Sequence, residues 1–391
     1  MMVKSKGAVN AMNIKKLRIT LVTVWVALCL FFLLEKNFLP GLSGKNAADD
    51  RMKLVGSAAY LIRDEYVEEP SPATTMEGAF RGLVDSLDIL SSYLDKESLV
   101  KYRQRKDSDL FGPGLLLFKN QGRFPLVVAV KENSPGEQAG IQLGESISAI
   151  NGRSTLMMSM VEANLILKDK TKKPVRLKVL RGSDTRVVEV ERSPMADEAY
   201  SFAPQESLSG ILKISNFYPP CASRFREDLV PKLASAQKPL VLDLRYCAEG
   251  EIGEAQAFLN ILLNQSNIGY LKKKGDTREN LSLQGKSVLS NLPLIVWTSQ
   301  ATIGAAEIVA GVLREFKSVK IIGRRSPGLV SQQAVIPLED GSGLLLTSSV
   351  FYLNAGEPIW NKGIEPDIEI GDDDPSFAAY LEKTLNLISN L

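Results

Sequence analysis

The stretch TSQATIGAAEIVAGVLREFKSVKIIGRRSPGLVSQQ, Thr298 to Gln333, reads as a strand end, a tight turn, a helix, a second strand and a loop. Hydroxyls at such turns point to acyl chemistry, which needs a nucleophilic atom and a neighbouring group able to take its proton. Ser299, Thr302 and Ser331 supply hydroxyls. The chain has no histidine, so Ser-His and Cys-His catalysis and His-ligated metal sites are excluded. Arg324 and Arg325 cannot act as bases, because a guanidinium stays protonated in proteins. Serine and threonine in this setting more commonly cap a helix, here the one beginning near Gly304, or satisfy loop amides. Three cysteines, Cys29, Cys221 and Cys247, are too few for a structural zinc cluster, and neither metal nor cofactor is expected.

These residues sit in a block, 200–391, where strands alternate with helices. GILKISNF, PLVLDLR, LPLIVWTS and VKIIGR read as strands; CASRFREDLVPKLASA, EAQAFLNILLN and GAAEIVAGVLREF read as helices. That alternation implies a largely parallel sheet with helices on both faces. Cys221 and Cys247 each follow a strand by a few residues. Parallel neighbouring strands would bring both thiols to one sheet edge, where a disulfide is conceivable outside the cytoplasm.

Residues 110–194 are strand-rich instead. PLVVAV, SISAING and VRLKVLRGSDTRVVEVER are strands with turns at Asn151-Gly152 and Gly182-Ser183. A short helix closed by Gly140 and an amphipathic helix in MSMVEANLILKD lie between them. Residues 51–105 have helical periodicity, preceded by a polar linker, Gly41 to Asp50. At the N-terminus, Lys4, Lys6, Lys15, Lys16 and Arg18 flank an uncharged run, Ile19 to Leu34, with Phe38 and Leu39 just beyond. This predicts a cytoplasmic tail, 1–18, and a transmembrane signal anchor, 19–39, somewhat like the ~20-residue spans of bilayers. The positive flank stays inside, so the soluble domains of a single-pass inner-membrane protein would face the periplasm or extracytoplasmic space. A net charge of +2, with 45% hydrophobic and 24% charged residues, is ordinary globular composition and gives no argument for nucleic acid.

The order of these blocks resembles the C-terminal processing peptidases, also called tail-specific proteases. The resemblance is carried by GAFRGLVDSLDILSSYLDKESL, SPGEQAGIQLGESISAING, VEANLILKDK, LVLDLR, AAEIVAGVLREF, IIGRRSPGLVSQQ and GLLLTSSVFYLNAGEPIWNKGIEPDIEI, and it spans about residues 55–370. It implies an α/β core of the ClpP/crotonase-like type with an inserted PDZ-like β-rich domain, an N-terminal helical segment and one N-terminal transmembrane helix. The family's chemistry is a Ser-Lys dyad. Its serine stands at a helix N-terminus three residues before a glutamate; its lysine stands four residues before a glutamine. Glu307 and Gln333 match those markers, so the serine position is Gly304 and the lysine position is Leu329. The family's asparagine-proline-glycine-glycine turn, which helps build the oxyanion hole, is here YCAEGE, Tyr246 to Glu251.

Gly304 offers no side chain and Leu329 no lone pair, and the altered turn changes the amides that would hold an oxyanion. The expectation is a membrane-anchored, catalytically inactive relative that binds peptide or protein C-termini through its PDZ-like domain and vacated cleft. An active protease or a second copy of the chain are further candidate partners. The alternative is an active serine-type endopeptidase using displaced residues, with Thr302 or Ser299 as nucleophile. Within the PDZ-like block, GPGL (Gly112 to Leu115) matches the loop that cradles a terminal carboxylate on backbone amides. Pro113 has no amide hydrogen, which leaves Gly114 and Leu115 as donors. The bound peptide would pair with the strand from Leu115, with Leu117, Val161 and Leu165 completing the groove.

Overall fold

A computed structural model describes Trp25 and residues 40–104, 110–195, 198–317, 319–371 and 375–390. Apart from Trp25, the expected anchor, 19–39, and the tail before it lie outside the described residues. No described helix is long and apolar enough to cross a membrane. The chain divides into two units, residues 1–76 and 77–391. In the first, helix α1 (Pro40–Glu65) occupies the segment expected to be a polar linker. Its proline stands at the first helical position, where no amide hydrogen is needed, and Ala, Lys, Met and Leu follow. Helix α2 (Pro72–Asp85) begins in this unit and ends in the next.

The rest of the region read as helical also contains a strand. Ser92–Leu94 forms strand β1, paired antiparallel with residues 343–345 far along the chain. Helix α3 (Lys96–Arg103) follows, its N-terminus capped by Asp95, which accepts from the Ser98 amide at 2.7 Å.

The PDZ-like domain opens with β2 (Phe111–Gly112) and runs through β3 (Leu115–Phe118), β4 (Leu126–Val130), helix α4 (Pro135–Gln138), β5 (Ser146–Ile150) and β6 (Arg153–Ser154). Helix α5 (Met160–Leu167), β7 (Val175–Arg181), β8 (Asp184–Val190) and β9 (Ser193–Pro194) complete it. The sheet order is β3-β4-β5-β7-β8, with β6 on β5, so β3 is an edge strand. The entering β2 pairs with the leaving β9 and closes the domain at its neck. Alternation along β7 sends Val175, Leu177 and Val179 inward, where they meet Ile147, Ile150, Ala163 and Leu167.

The α/β core contains β10 (Tyr200–Ala203), β11 (Gly210–Ile214), helices α6 (Cys221–Asp228) and α7 (Val230–Leu233), and β12 (Leu240–Asp243). It continues with helix α8 (Ile252–Leu262), β13 (Asn267–Lys273), β14 (Arg278–Ser282), β15 (Leu294–Thr298), helix α9 (Ala305–Lys317) and β16 (Lys320–Gly323). Strands β17 (Ser331–Pro337), β18 (Gly343–Leu353) and β19 (Ile368–Glu369) and helix α10 (Phe377–Ser389) end it. The main sheet has the order β10-β11-β12-β15-β16-β19 and is parallel from β11 onward. Both faces are covered, which is why β12 and β15 are buried at every position. Leu240, Leu242, Leu294 and Val296 join the cluster with α6, α8 and α9, while Val241, Ile295 and Trp297 face α10. Helix α10 is bolted on by two buried hydrogen bonds, Trp297 Nε1 to Thr384 Oγ1 and Tyr380 hydroxyl to the Thr298 carbonyl, each 2.8 Å. A second, antiparallel sheet sets β1, β18, β13 and β14 in line, with β17 also paired to β18.

Candidate functional site

The loops after β12, β15 and β16 leave the carboxyl edge of the parallel sheet together, where open α/β sheets place their sites. They carry the Tyr246–Glu251 turn, the segment 299–304 and the segment 324–330. Gly304 opens α9 with φ +63°, and Leu329 is buried at 7% exposure. The carbonyl of Leu329 lies 3.8 Å from where a Cβ on Gly304 would stand, so the two positions do face one another.

Between them runs Glu307, fully buried on the first turn of α9. Its Oε2 accepts from the amides of Gly304 (3.0 Å) and Leu329 (2.7 Å). Its Oε1 accepts from the Gly328 amide (2.5 Å) and the Ser326 hydroxyl (2.6 Å). Burial pushes the Glu307 carboxyl up to about 7, against the downward pull of those donors. Ser326 also accepts from the Ile364 amide at 2.8 Å, tying the 326–329 loop to the segment carrying Ile364. Only glycine fits at Gly363, where φ is +73° and a Cβ would stand 1.9 Å from the Ser326 carbonyl.

The nearby hydroxyls hold backbone. Thr302 Oγ1 donates to the Leu244 carbonyl at 2.9 Å and accepts from the Ser299 amide at 2.9 Å. Ser299 Oγ donates to the Arg245 carbonyl at 2.5 Å and accepts from the Ala301 amide at 3.0 Å. Gln333 donates to Ser331 Oγ at 2.7 Å. The expected helix cap is therefore not a hydroxyl: Glu307, from inside the helix, takes the amide at its start. Arg245 makes a forked pair with Asp243 (2.9 and 2.8 Å), its guanidinium 4.9 Å from the Trp297 ring and 4.6 Å from that of Tyr380.

The Tyr246–Glu251 turn is knitted to the core. The Cys247 carbonyl accepts from the Ile303 amide (3.0 Å), and Phe217 exchanges backbone bonds with Glu249 and Glu251 (3.0 and 2.8 Å). Cys221 and Cys247 are both fully buried in one cluster and are free thiols, not the bridged pair the sequence leaves open. Burial pushes the Cys221 thiol up to about 12 and the Cys247 thiol well above its ordinary value, so neither is primed as a nucleophile.

The PDZ-like sheet rests directly on this edge. Val128 and Ala129 pack on Ala301, flanked by Leu116, Phe118, Leu126 and Tyr246. Beside that contact lies a cavity of about 390 Å³. Gly114, Leu115 and Leu116 form one side; Lys213, Tyr246 and Glu249 are among the core residues opposite. Of the predicted peptide contacts, Gly114 and Leu115 line it. Leu117 lies outside its lining, in the PDZ-like core cluster that also holds Leu115, and Val161 and Leu165 lie half-buried on α5, also outside it. Gly112 and Pro113 lie on the approach: Gly112 abuts Met195, and the Pro113 carbonyl accepts from the Gly136 amide at 2.8 Å. Sequence reasoning missed Lys168, which also lines the cavity and pairs with Glu249 across the two domains. No local pattern could have announced it, because the partners are 81 residues apart.

Residues 209–370 match Peptidase family S41, and residues 126–181 match a PDZ domain. The carboxy-terminal processing protease CtpA of Bacillus subtilis (strain 168) is 25% identical over 374 residues, covering 95% of this chain and 80% of that protein. A probable CtpA-like serine protease of Staphylococcus aureus (strain N315) is 24% identical over 375 residues, covering 95% and 73%. Among solved structures, a photosystem II D1 C-terminal processing protease superposes with a TM-score of 0.68 at 23% identity, covering 82% of this chain and 87% of that one. With its PDZ domain, its S41 core and relatives that match over nearly its whole length, the chain is similar throughout to the C-terminal processing peptidases.

Proposed function

We propose that this protein is a non-catalytic member of its family that binds peptide or protein C-termini. The observation that carries the reading is the wiring around Glu307. The two dyad positions hold a glycine and a leucine, and the amides of both are spent on one buried carboxylate. An acyl-enzyme needs a nucleophile, a base and aimed donors for the oxyanion. The Gly304 amide points inward to Glu307, and Thr302 and Ser299 hold strand-end carbonyls, which speaks against their acting as displaced nucleophiles.

Peptide binding is supported by the cavity beside Gly114 and Leu115 and by the unpaired edge of β3, to which an extended chain can add as a strand. The basic residues before Ile19 support membrane anchoring with the domains outside the cytoplasm. The helix-covered parallel sheet supports a core of the ClpP/crotonase-like type. The test uses purified full-length protein, one peptide with a free apolar C-terminus and the same peptide amidated. The reading expects binding of the free acid, weaker binding of the amide, and no cleavage of either. Equal binding of both would mean that the groove does not read C-termini; turnover above a mock-purified control would restore the enzyme reading.

A further inference from the structure

The groove's helix, α5, is held from outside its own domain. Arg81 of α2 reaches Glu162 Oε1 at 2.5 Å, and its fork also grips Glu77 Oε1 at 3.0 and 2.7 Å. Its guanidinium lies 5.7 Å from the Tyr93 ring of β1. Glu162 Oε2 accepts from the Ser159 amide at 3.0 Å, while Ser159 Oγ accepts from the Glu162 amide at 3.1 Å, closing a capping box at the start of α5. Ser92 of β1 donates to the same Ser159 hydroxyl at 2.6 Å. Glu162 and Ser92 are buried, so each member of this network is strengthened by low dielectric and costly to leave unpaired.

The other end of the network reaches the vacated site. Beside β1, Asp88 accepts from Thr347 Oγ1 at 3.2 Å, and Ser91 Oγ accepts from the Thr347 amide at 3.1 Å. Thr347 lies on β18, which pairs with β17, the strand that leaves the Leu329 loop. Hydrogen bonds, together with the chain through Ser91-Ser92 and from Leu329 into β17, thus link the Leu329 loop to the first turn of α5.

We propose that Arg81 is a positioning residue for the peptide groove: by joining α2 to Glu162 it fixes α5 against the sheet that leaves the Leu329 loop, so the width of the groove is set from outside the PDZ domain. The proposal rests on the reading of the groove as a peptide site. The test compares full-length wild-type protein with Arg81→Ala, Arg81→Lys and Glu162→Gln. A fluorescein-labelled peptide ending in a free valine measures affinity, and hydrogen exchange by mass spectrometry measures protection.

Arg81→Ala should weaken binding about tenfold or more, the equivalent of losing ~1.4 kcal/mol. Arg81→Lys should recover part of it, since an ammonium reaches Glu162 but cannot fork to Glu77 as well. Exchange should rise at residues 160–167 and stay unchanged at 294–298. Should Arg81→Ala fail to fold, Glu162→Gln, which keeps the shape of the capping box and removes the charge, must give the same pattern. Wild-type affinity in the alanine variant, or no recovery with lysine, overturns the proposal. If the wild-type protein binds no peptide, the peptide reading fails, and exchange alone decides on Arg81: unaltered protection at 160–167 refutes the clamp.

Discussion

Gly304→Ser combined with Leu329→Lys returns the two dyad side chains without returning the site. Space is not the obstacle at Gly304, where a Cβ would meet only the Leu329 carbonyl at 3.8 Å. The backbone is, because φ +63° costs a non-glycine residue roughly 1–2 kcal/mol. Leu329 is 7% exposed, so its replacement by lysine forfeits about 2–3 kcal/mol of apolar burial before any cost of desolvating an amine. The sum, about 3–5 kcal/mol, should lower the melting temperature by roughly 6–20 °C at the 2–4 °C per kcal/mol usual for large domains. Chemistry then meets a second barrier. The Gly304 amide is held by Glu307, and one missing oxyanion donor costs on the order of 100- to 1,000-fold in rate. The assay is a fluorophosphonate probe read by intact mass, beside hydrolysis of an activated ester and a thermal melt. Near-stoichiometric labelling at position 304 that needs both substitutions, with little loss of stability, would refute this reasoning and show that the scaffold had stayed competent.

Further outcomes follow from the same wiring. The Glu307 carboxyl is raised from 4.5 to about 7 in the folded protein, so its contribution to stability is fully present below about 4.5 and is lost as pH rises through about 7. Urea unfolding should show the wild-type protein up to about 3 kcal/mol less stable at pH 8 than at pH 5 from this group, and Glu307→Gln should flatten that difference; a slope unaltered by the substitution would contradict it. Gly363→Ala should cost about 2–4 kcal/mol, because its Cβ would overlap the Ser326 carbonyl at a φ of +73°. Gly122→Ala, with φ +68° and nothing within 4 Å, should cost only about 1 kcal/mol; equal melting temperatures for the two would remove packing from the explanation. Thr302→Val should cost about 1–3 kcal/mol by removing the acceptor of the Ser299 amide and one of the donors to the Leu244 carbonyl, and should alter no peptide turnover; a turnover that it abolished would identify Thr302 as a nucleophile.

Much of the core was legible because its signals are local. Continuous apolar runs such as LVLD and LIVWT need cover on both faces. Other features depend on partners distant in sequence. Glu307 could be read as a spacing marker, but not as the group that binds an amide at its own helix start and two amides and a hydroxyl of the 326–329 loop. Ser92–Leu94 sits among helical periodicities, and only its pairing with residues 343–345 makes it a strand. The helix over Gly41–Asp50 was hidden by a polar composition that suits a linker as well as a solvated helix. Leu117 was assigned to the peptide pocket from its place in β3; it shares the inward face of that strand with Leu115, and both are buried in the domain's own core, while Leu115 also lines the cavity.

The contacts explain how the junction at Gly304 and Leu329 holds together without polar side chains at those two positions. A helix start and a loop brought together at a sheet edge leave amides that must be satisfied when buried. Glu307 satisfies the Gly304, Gly328 and Leu329 amides at once, so the junction does not depend on a side chain at 304 or 329. Ala301, three residues upstream of Gly304, is covered by Val128 and Ala129 of the PDZ domain, which fixes that domain to the same edge. The open space that remains beside this contact is the cavity under Gly114 and Leu115, and Tyr246 belongs to both the contact and the cavity wall. A ligand entering there therefore touches the Tyr246–Glu251 turn. On the proposed non-catalytic reading, binding energy in this arrangement can go into holding the two domains together.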